Sequence, residues 1–163
     1  MENRERLVVS FAKEVCIMAV TVKKVALWRT EVAHEPGVLA NVLEPLAQAG
    51  ANLRVVMGYG MGESGRAAIE VFPISGKRAT ATAGAAGLSA SSIPCLLVEG
   101  DDRPGLGADM ARAIANTGVN IQFLIAETIG RKFSAVFGLQ TDAEAAAATK
   151  AIKAASKPKG RKR

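Results

Sequence analysis

Two stretches of twenty residues decide the fold: HEPGVLANVLEPLAQAGANL at positions 34–53 and DRPGLGADMARAIANTGVNI at positions 102–121. They align without a gap at a spacing of 68 residues. The identical pairs are Pro36/Pro104, Gly37/Gly105, Ala40/Ala108, Ala47/Ala115, Gly50/Gly118 and Asn52/Asn120. Chance supplies scattered alanine matches, but rarely a Pro-Gly pair, a later glycine and a following asparagine twice in one register. The pattern therefore indicates an internal duplication.

Each copy contains the same sequence of predicted elements around its Pro-Gly turn. An apolar strand precedes the turn, a helix with apolar residues at helical spacing follows it, and a β-hairpin and a second helix complete the copy. In copy one these are residues 25–30, 38–49, 52–59, 67–74 and 78–86; in copy two they are 93–99, 106–117, 120–128, 133–139 and 143–155. Thr141 and Glu144 form a capping-box pattern at the start of the last helix.

This order of elements predicts an α+β protein of the split-βαβ, ferredoxin-like class. Each copy lacks a fourth strand, so we expect the first strands of the two copies to pair across an internal pseudo-twofold axis. The result is one antiparallel sheet of six strands, in the order 2-3-1-1′-3′-2′, with four helices on one face. The opposite face would be bare, which favours a homodimer.

The charge of the chain is concentrated at its C-terminal end. The formal net charge is +6, and five basic residues lie in positions 157–163, so the rest carries 6 − 5 = +1. We predict an N-terminal extension at 1–22, repeat 1 at 23–88, repeat 2 at 89–155, and a disordered basic tail at 156–163. The tail either keeps the protein soluble or contacts RNA or an acidic partner.

Compartment and redox signals favour the cytoplasm. The apolar segment 7–22 is interrupted by Lys13 and Glu14 and is too short and too charged for a membrane span. It has no clear signal-peptide pattern. Cys16 and Cys95 have neither a metal-binding nor a redox spacing, so we predict no disulfide.

The motif in copy two resembles that of the ACT domain. Its parts are Asp102-Arg103-Pro104-Gly105, an apolar helix ending in Gly118, and Asn120-Ile121 opening the next strand. The resemblance covers residues 25–155 and implies a regulatory module that binds small ligands, usually amino acids, at interfaces between paired domains. Such modules are commonly fused to metabolic enzymes, but we find no catalytic domain beside the two copies and predict no enzyme activity and no cofactor. Copy one departs from the pattern because His34 replaces the acid, which predicts that the two sites differ in affinity or ligand.

A free amino acid offers a carboxylate and an ammonium group. The unpaired N–H groups at a helix start suit the carboxylate; Asp102 suits the ammonium, and asparagine has both a donor and an acceptor. The candidate ligand-binding residues are His34, Gly37, Val38, Leu39, Asn52, Leu53, Asp102, Arg103, Gly105, Leu106, Asn120 and Ile121. The plainer interpretation is that Pro-Gly is a turn and the asparagines cap strand starts.

Two further signals are weak. Residues 60–65 match the GxGxxG pattern of dinucleotide-binding loops but precede another strand, which favours a hairpin loop. His34 is the sole histidine, with no metal-type cluster and no nucleophile nearby in sequence, so we predict no metal site and no enzyme. The sequence thus favours an amino-acid-binding regulator with an enzyme or transcription partner. The alternatives are a dimerisation module without a ligand, and weak nucleic-acid contact through the tail.

Overall fold

A computed structural model describes residues 20–156 and shows two units, one for each repeat. Most of the predicted N-terminal extension and almost all of the predicted basic tail lie outside the described residues. The elements are β1 (Thr21–Val25), β2 (Trp28–Ala33), α1 (Val38–Gln48), β3 (Val55–Gly60), β4 (Arg66–Phe72), α2 (Lys77–Ala85), β5 (Ser89–Ala90), β6 (Cys95–Asp101), α3 (Leu106–Ala115), β7 (Phe123–Ile129), β8 (Lys132–Gly138) and α4 (Asp142–Ala155).

The strands form two antiparallel four-stranded sheets and not one sheet of six. The sheet of the first unit has the order β5-β2-β4-β3, and that of the second unit has the order β1-β6-β8-β7. The predicted pairing between the first strands of the two copies is therefore wrong. Instead, a fourth strand completes each sheet by pairing with the first strand of that copy. This strand is β5 beside β2 in the first unit and β1 beside β6 in the second.

The fourth strand of the second unit comes from the N-terminal side of the first. The apolar run that the sequence presents as one strand at 25–30 is broken by Ala26 and Leu27. The residues before this break pair with β6, with Val22 opposite Val98 and Val25 opposite Cys95. The chain thus crosses from one sheet to the other within two residues, and the Leu27 side chain is fully buried.

The two sheets pack against each other through the faces that carry no helices. Leu27 and Met57 of the first unit meet Leu97 and Val136 of the second in one apolar cluster. Helices cover the opposite faces, with separate cores beneath α1 and α2 and beneath α3 and α4. This packing explains the corrected topology, because it buries apolar side chains that a single open sheet would leave in water. It also covers much of the face on which the homodimer expectation was based.

The helix boundaries largely follow the sequence signals. Gly50 and Gly118, just after α1 and α3, have φ values of +83° and +77°, the left-handed conformation expected of a helix C-terminus. Thr141 caps α4 through the predicted capping box with Glu144. Pro45 lies inside α1, which nevertheless continues to Gln48.

The repeat spacing changes within the hairpins. Val55 pairs with Phe72 in the first unit, whereas Phe123 pairs with Gly138 in the second. The second hairpin is therefore two residues shorter. Equivalent residues of the two copies are 68 positions apart before the hairpin turn and 66 positions apart after it. The extra residues belong to the GxGxxG stretch, which forms a short 3₁₀ turn between β3 and β4. No α-helix starts there, which confirms the hairpin loop.

Candidate functional site

Each unit has an open hollow between the start of its first helix and its β-hairpin. The first hollow has a volume of about 240 Å³ and the second about 170 Å³. The first is lined by Val32, Ala33, His34, Glu35, Val38, Leu39, Gly58, Tyr59, Gly60, Ala67, Ala68 and Ile69. The second is lined by Asp102, Leu106, Gly107, Met110, Leu124, Ala126, Glu127, Thr128, Phe133, Ala135 and Phe137.

The two hollows occupy equivalent places in the duplicated fold. His34 corresponds to Asp102, Val38 to Leu106, and Tyr59 to Glu127, each at the repeat spacing. The mouth is also built alike, because the amide of His34 donates to Gly65 O at 2.9 Å and that of Asp102 donates to Arg131 O at 2.8 Å. Two pockets at matching positions indicate a feature of the fold.

The helix starts leave donors available beside the hollows. Gly37 precedes α1 in a left-handed conformation, with φ at +87°. The amide of Val38 makes a long bond to Glu35 O at 3.5 Å, and that of Asn41 donates to Gly37 O at 3.0 Å. Within residues 20–156, the amides of the two residues between them have no backbone acceptor. α3 starts in the same way after Gly105, with φ at +80°. The partial positive charge of each helix start is therefore available to an anion.

The two hollows differ in the residues of their strand side. The first has Gly58 and Gly60, where the second has Ala126 and Thr128. A Cβ added to Gly60 would lie 3.5 Å from Nε2 of His34, so the imidazole rests directly above this glycine. The absence of side chains on the strand makes the first hollow the roomier of the two.

The structure brings together five of the twelve predicted ligand-binding residues. His34, Val38 and Leu39 line the first hollow, and Asp102 and Leu106 line the second. Gly37 and Gly105 cap the adjoining helices. Arg103 is directed elsewhere, because its guanidinium pairs with Asp109 at 2.8 Å and reaches Ala155 O at the end of α4.

The remaining four residues lie away from both hollows. Asn52, Leu53, Asn120 and Ile121 follow the ends of α1 and α3, and a helix of 11 residues, such as α1, is about 16 Å long. Leu53 and Ile121 pack against the helix-side cores. Within this chain the asparagines therefore do not reach the hollow beside their own helix start, because a helix separates its two ends; their role as ligand-binding residues stays a prediction.

Sequence reasoning missed the strand residues of the sites. Gly58, Tyr59 and Gly60 on β3, like Ala126, Glu127 and Thr128 on β7, lie opposite the helix start. A signal was present: two glycines at alternate positions of a strand indicate a close approach of another group. Here that group is His34.

A buried polar network lies behind the first hollow. The Tyr59 hydroxyl donates to Oε1 of Glu70 at 2.7 Å, and the Glu70 side chain has no exposed surface. Nε of Arg29 lies 3.5 Å from the same oxygen, while its Nη1 pairs with Glu31 at 2.9 Å. Among the described residues, Oε2 of Glu70 and Nε of Arg29 have no hydrogen-bond partner. The 3.5 Å contact is therefore an ion pair without a hydrogen bond.

This environment raises the pKa of Tyr59 above its usual value of 10.0. Burial is the largest cause, followed by the hydrogen bond to Glu70 and its negative charge. Tyr59 is the sole tyrosine of the chain, so its absorbance at alkaline pH reports this one group. We expect a midpoint above 10 that falls in a Glu70→Gln variant. The raised pKa also predicts that this contribution to stability is complete below pH 10 and lost as the pH rises through the folded-state value. A midpoint unmoved by the substitution would contradict the contact.

Other types of site find little support in the described part of the chain. Within residues 20–156, no group of three or more His, Cys, Asp and Glu side chains is arranged to hold a metal ion. None of the helices in this range is long and apolar enough to cross a membrane.

Several known structures have a similar fold over most of the length of this chain. The regulatory subunit of aspartate kinase from Thermus thermophilus, in a ligand-free form, matches with a TM-score of 0.58 at 21% identity, over 85% of this chain and 98% of the other. The same subunit from Thermus flavus gives 0.56 at 21% identity, over 85% and 97%. The structural likeness confirms the tandem ACT-like fold. A Bacteroides thetaiotaomicron protein gives 0.64 at 13% identity, over 82% and 88%. No protein-family model and no curated protein matches the sequence.

Proposed function

We propose that this chain is a non-catalytic regulatory protein that binds free amino acids in its two hollows. The observation that carries the proposal is the repetition of one arrangement, in which an open hollow lies beside the free amides of a glycine-capped helix start. Two proteins of similar structure are regulatory subunits of aspartate kinase, which supports the same function. We expect it to act in the cytoplasm.

The ligand's carboxylate faces the amides at the start of α1 or α3 in this proposal. In the second hollow, Asp102 accepts the ammonium group. In the first hollow, Glu35 supplies the negative charge, and His34 supplies a further hydrogen bond. The two hollows therefore differ in their polar groups and in room, which favours different ligands or affinities for the two.

In this proposal, ligand binding is communicated to a partner through the edge strands β3 and β7, which line the two hollows. β3 and β7 are edge strands, and their exposed apolar side chains include Val56, Leu124, Ile125 and Ile129. Unpaired strand edges readily pair with another chain. We therefore also propose that this protein forms a homodimer and that the homodimer binds a regulated enzyme or a transcription factor. The competing function, a dimerisation module without a ligand, uses the same strands.

Calorimetry with each standard amino acid tests the proposal, and Gly60→Val provides the matched variant. Gly60 lacks a positive φ, so valine is compatible with the strand and fills the space beneath His34. We expect at least one amino acid to bind the wild-type protein and to raise its melting temperature. The variant should bind that ligand about tenfold more weakly at the first hollow, because overfilling a packed space costs about 1–3 kcal/mol.

Gly84→Ala is the control, because this glycine lies in α2 with open space around its Cα. It should bind as the wild type does. Silence of a folded wild-type protein toward all twenty amino acids would favour the ligand-free dimerisation module. Binding that persists unchanged in the Gly60→Val variant would place the ligand outside the first hollow.

A further inference from the structure

The face of the second sheet that meets the first unit is only partly covered by it. Phe123 of β7 packs in the apolar cluster between the sheets. Ile125, Glu127 and Ile129 share this face of β7, because alternate residues of a strand point to the same side. Ile125 is 44% exposed and Ile129 is 72% exposed. The contact between the units therefore ends before β7 does, and it leaves two isoleucines in contact with water.

A hollow of about 250 Å³ lies in this uncovered part of the sheet. The residues that line it from this face are Glu99 of β6, Glu127 and Ile129 of β7, and Lys132 and Ser134 of β8. We call these residues, together with Ile125, the open face of the second sheet. The hollows beside the helix starts are on the opposite sides of the sheets, which carry the helices.

We propose that residues 1–19 of this chain dock on the open face of the second sheet. These residues lie outside the described part of the chain and contain the largely apolar run LVVSFA at positions 7–12. An exposed apolar patch and an apolar segment are both stabilised when they bury each other. The inference is independent of the amino-acid ligand, because the side chains of the open face point away from both helix starts.

The described chain begins at the end of the sheet where the open face lies. A Cβ added to Gly100 would be 3.3 Å from the Cα atom of Val20, so the chain enters beside the end of β6. Gly100 pairs with Phe133, which pairs with Thr128, so one row of residues crosses the sheet from Val20 to β7. This row is about 14 Å long, because neighbouring strands are about 4.8 Å apart. The intervening residues 13–19 span up to about 24 Å, so the apolar run can reach the open face.

The basic segment at the other end of the chain suits the open face less well. The chain leaves α4 in the same region, since the Arg103 side chain, which follows β6, reaches Ala155 O at 3.4 Å. The residues KPKGRKR at 157–163 include no large apolar side chain that could cover Ile125 and Ile129. An apolar surface therefore favours the segment 1–19 over the basic segment.

The charges of the open face are compatible with this segment. The two acids at the end of β6 are each paired with a cation. None of the ion pairs within residues 20–156 includes Glu127, which lies between the two isoleucines. Arg4 and Arg6 immediately precede the apolar run. Docking of the run on the isoleucines therefore brings a cation near the free carboxylate.

Labelling of a cysteine placed at Ser134 tests the docking. Ser134 is half-buried in the hollow of the open face, and cysteine has nearly the same shape. The background carries Cys16→Ser, and Cys95 has no exposed surface, so it labels slowly. In this Ser134→Cys protein, Val9→Asp with Phe11→Asp should raise the rate of labelling by a disulfide reagent at least about tenfold. Burial of one large apolar side chain shifts an equilibrium by about this factor.

Two controls identify the occupant of the open face. Lys159→Asp with Arg161→Asp makes the same kind of change in the basic segment and should leave the rate within about twofold. A cysteine at Arg78 instead of Ser134, on the exposed surface of α2 in the first unit, should label at one rate with and without each pair of substitutions. Equal rates there show that the substitutions do not loosen the whole fold.

An unchanged rate after Val9→Asp with Phe11→Asp would overturn the proposal, as would acceleration by the substitutions at Lys159 and Arg161. Labelling that slows as the protein concentration rises would show that a second copy covers the open face, and this too would overturn it. Amino-acid binding is measured separately by calorimetry, so failure of the docking and failure of the proposed function remain distinct.

Discussion

Replacing Arg29 with leucine is expected to lower the free energy of unfolding by about 3 kcal/mol. The change removes the cation beside Glu70, a carboxylate with no exposed surface and one oxygen already without a partner. Breaking a buried ion pair typically costs about 3–5 kcal/mol, and the lower end applies because Arg29 is 28% exposed. Urea denaturation followed by the signal of the single tryptophan, Trp28, measures the loss.

The double variant Arg29→Leu with Glu70→Val is the control for this prediction. It reproduces the pair Leu97 and Val136 found at the equivalent positions of the second unit. Apolar replacement of a buried ion pair is often neutral or stabilising, so most of the lost stability should return. A double variant as unstable as Arg29→Leu alone would show that the loss comes from packing of the arginine stem and not from an uncompensated charge.

Replacing Leu27 with alanine is expected to cost about 3 kcal/mol of unfolding free energy. Leu27 is fully buried where the chain crosses from β1 to β2, and it packs in the cluster between the two sheets with Met57 and Leu97. The change leaves a cavity that the two sheets cannot close without moving together. Chemical denaturation again gives the measurement.

Val56→Ala is the matched control, because this side chain is 45% exposed on the edge strand β3. It should cost well under about 1 kcal/mol, as most exposed substitutions do. Equal losses in the two variants would contradict the packing of the sheets face to face, since an open single sheet would leave Leu27 no more important than a surface residue.

The duplicated motif predicted the order strand–helix–strand–strand–helix of each unit from the sequence, but not the fourth strand of each sheet. Pro36-Gly37 and Pro104-Gly105 mark the helix starts, and the later glycines mark the helix ends, because few other residues adopt the left-handed backbone there. Such helix boundaries depend on the backbone conformation of one or two residues, so the local sequence is enough to predict them. The capping box of α4 is of the same kind.

The arrangement of the two units could not be read from the sequence in the same way. The pairing of β1 with β6 and of β5 with β2 depends on which strand edges are free once both units have formed. These are contacts between segments far apart in sequence, which local patterns do not specify. The break between β1 and β2 consists of Ala26 and Leu27, and neither residue type is typical of a turn. Leu27 is apolar whether it lies within one strand or between two, so its pattern fits both readings.

The candidate site was predicted in part. The helix starts carry His34, Val38, Leu106 and Asp102 to the hollows, as the motif indicates. The asparagines belong to the same motif, but similarity of motif does not place its two ends at one site. The buried Glu70 gave no signal, because a lone acid in an alternating strand is expected on a solvated face.

An amide NMR titration of the folded protein with each standard amino acid shows whether ligands bind at the two helix starts. We expect a binding amino acid to shift the amides of Leu39 and Ala40, or those of Gly107 and Ala108. Shifts that spare both helix starts, or no shifts with any amino acid, would rule out binding at the helix starts.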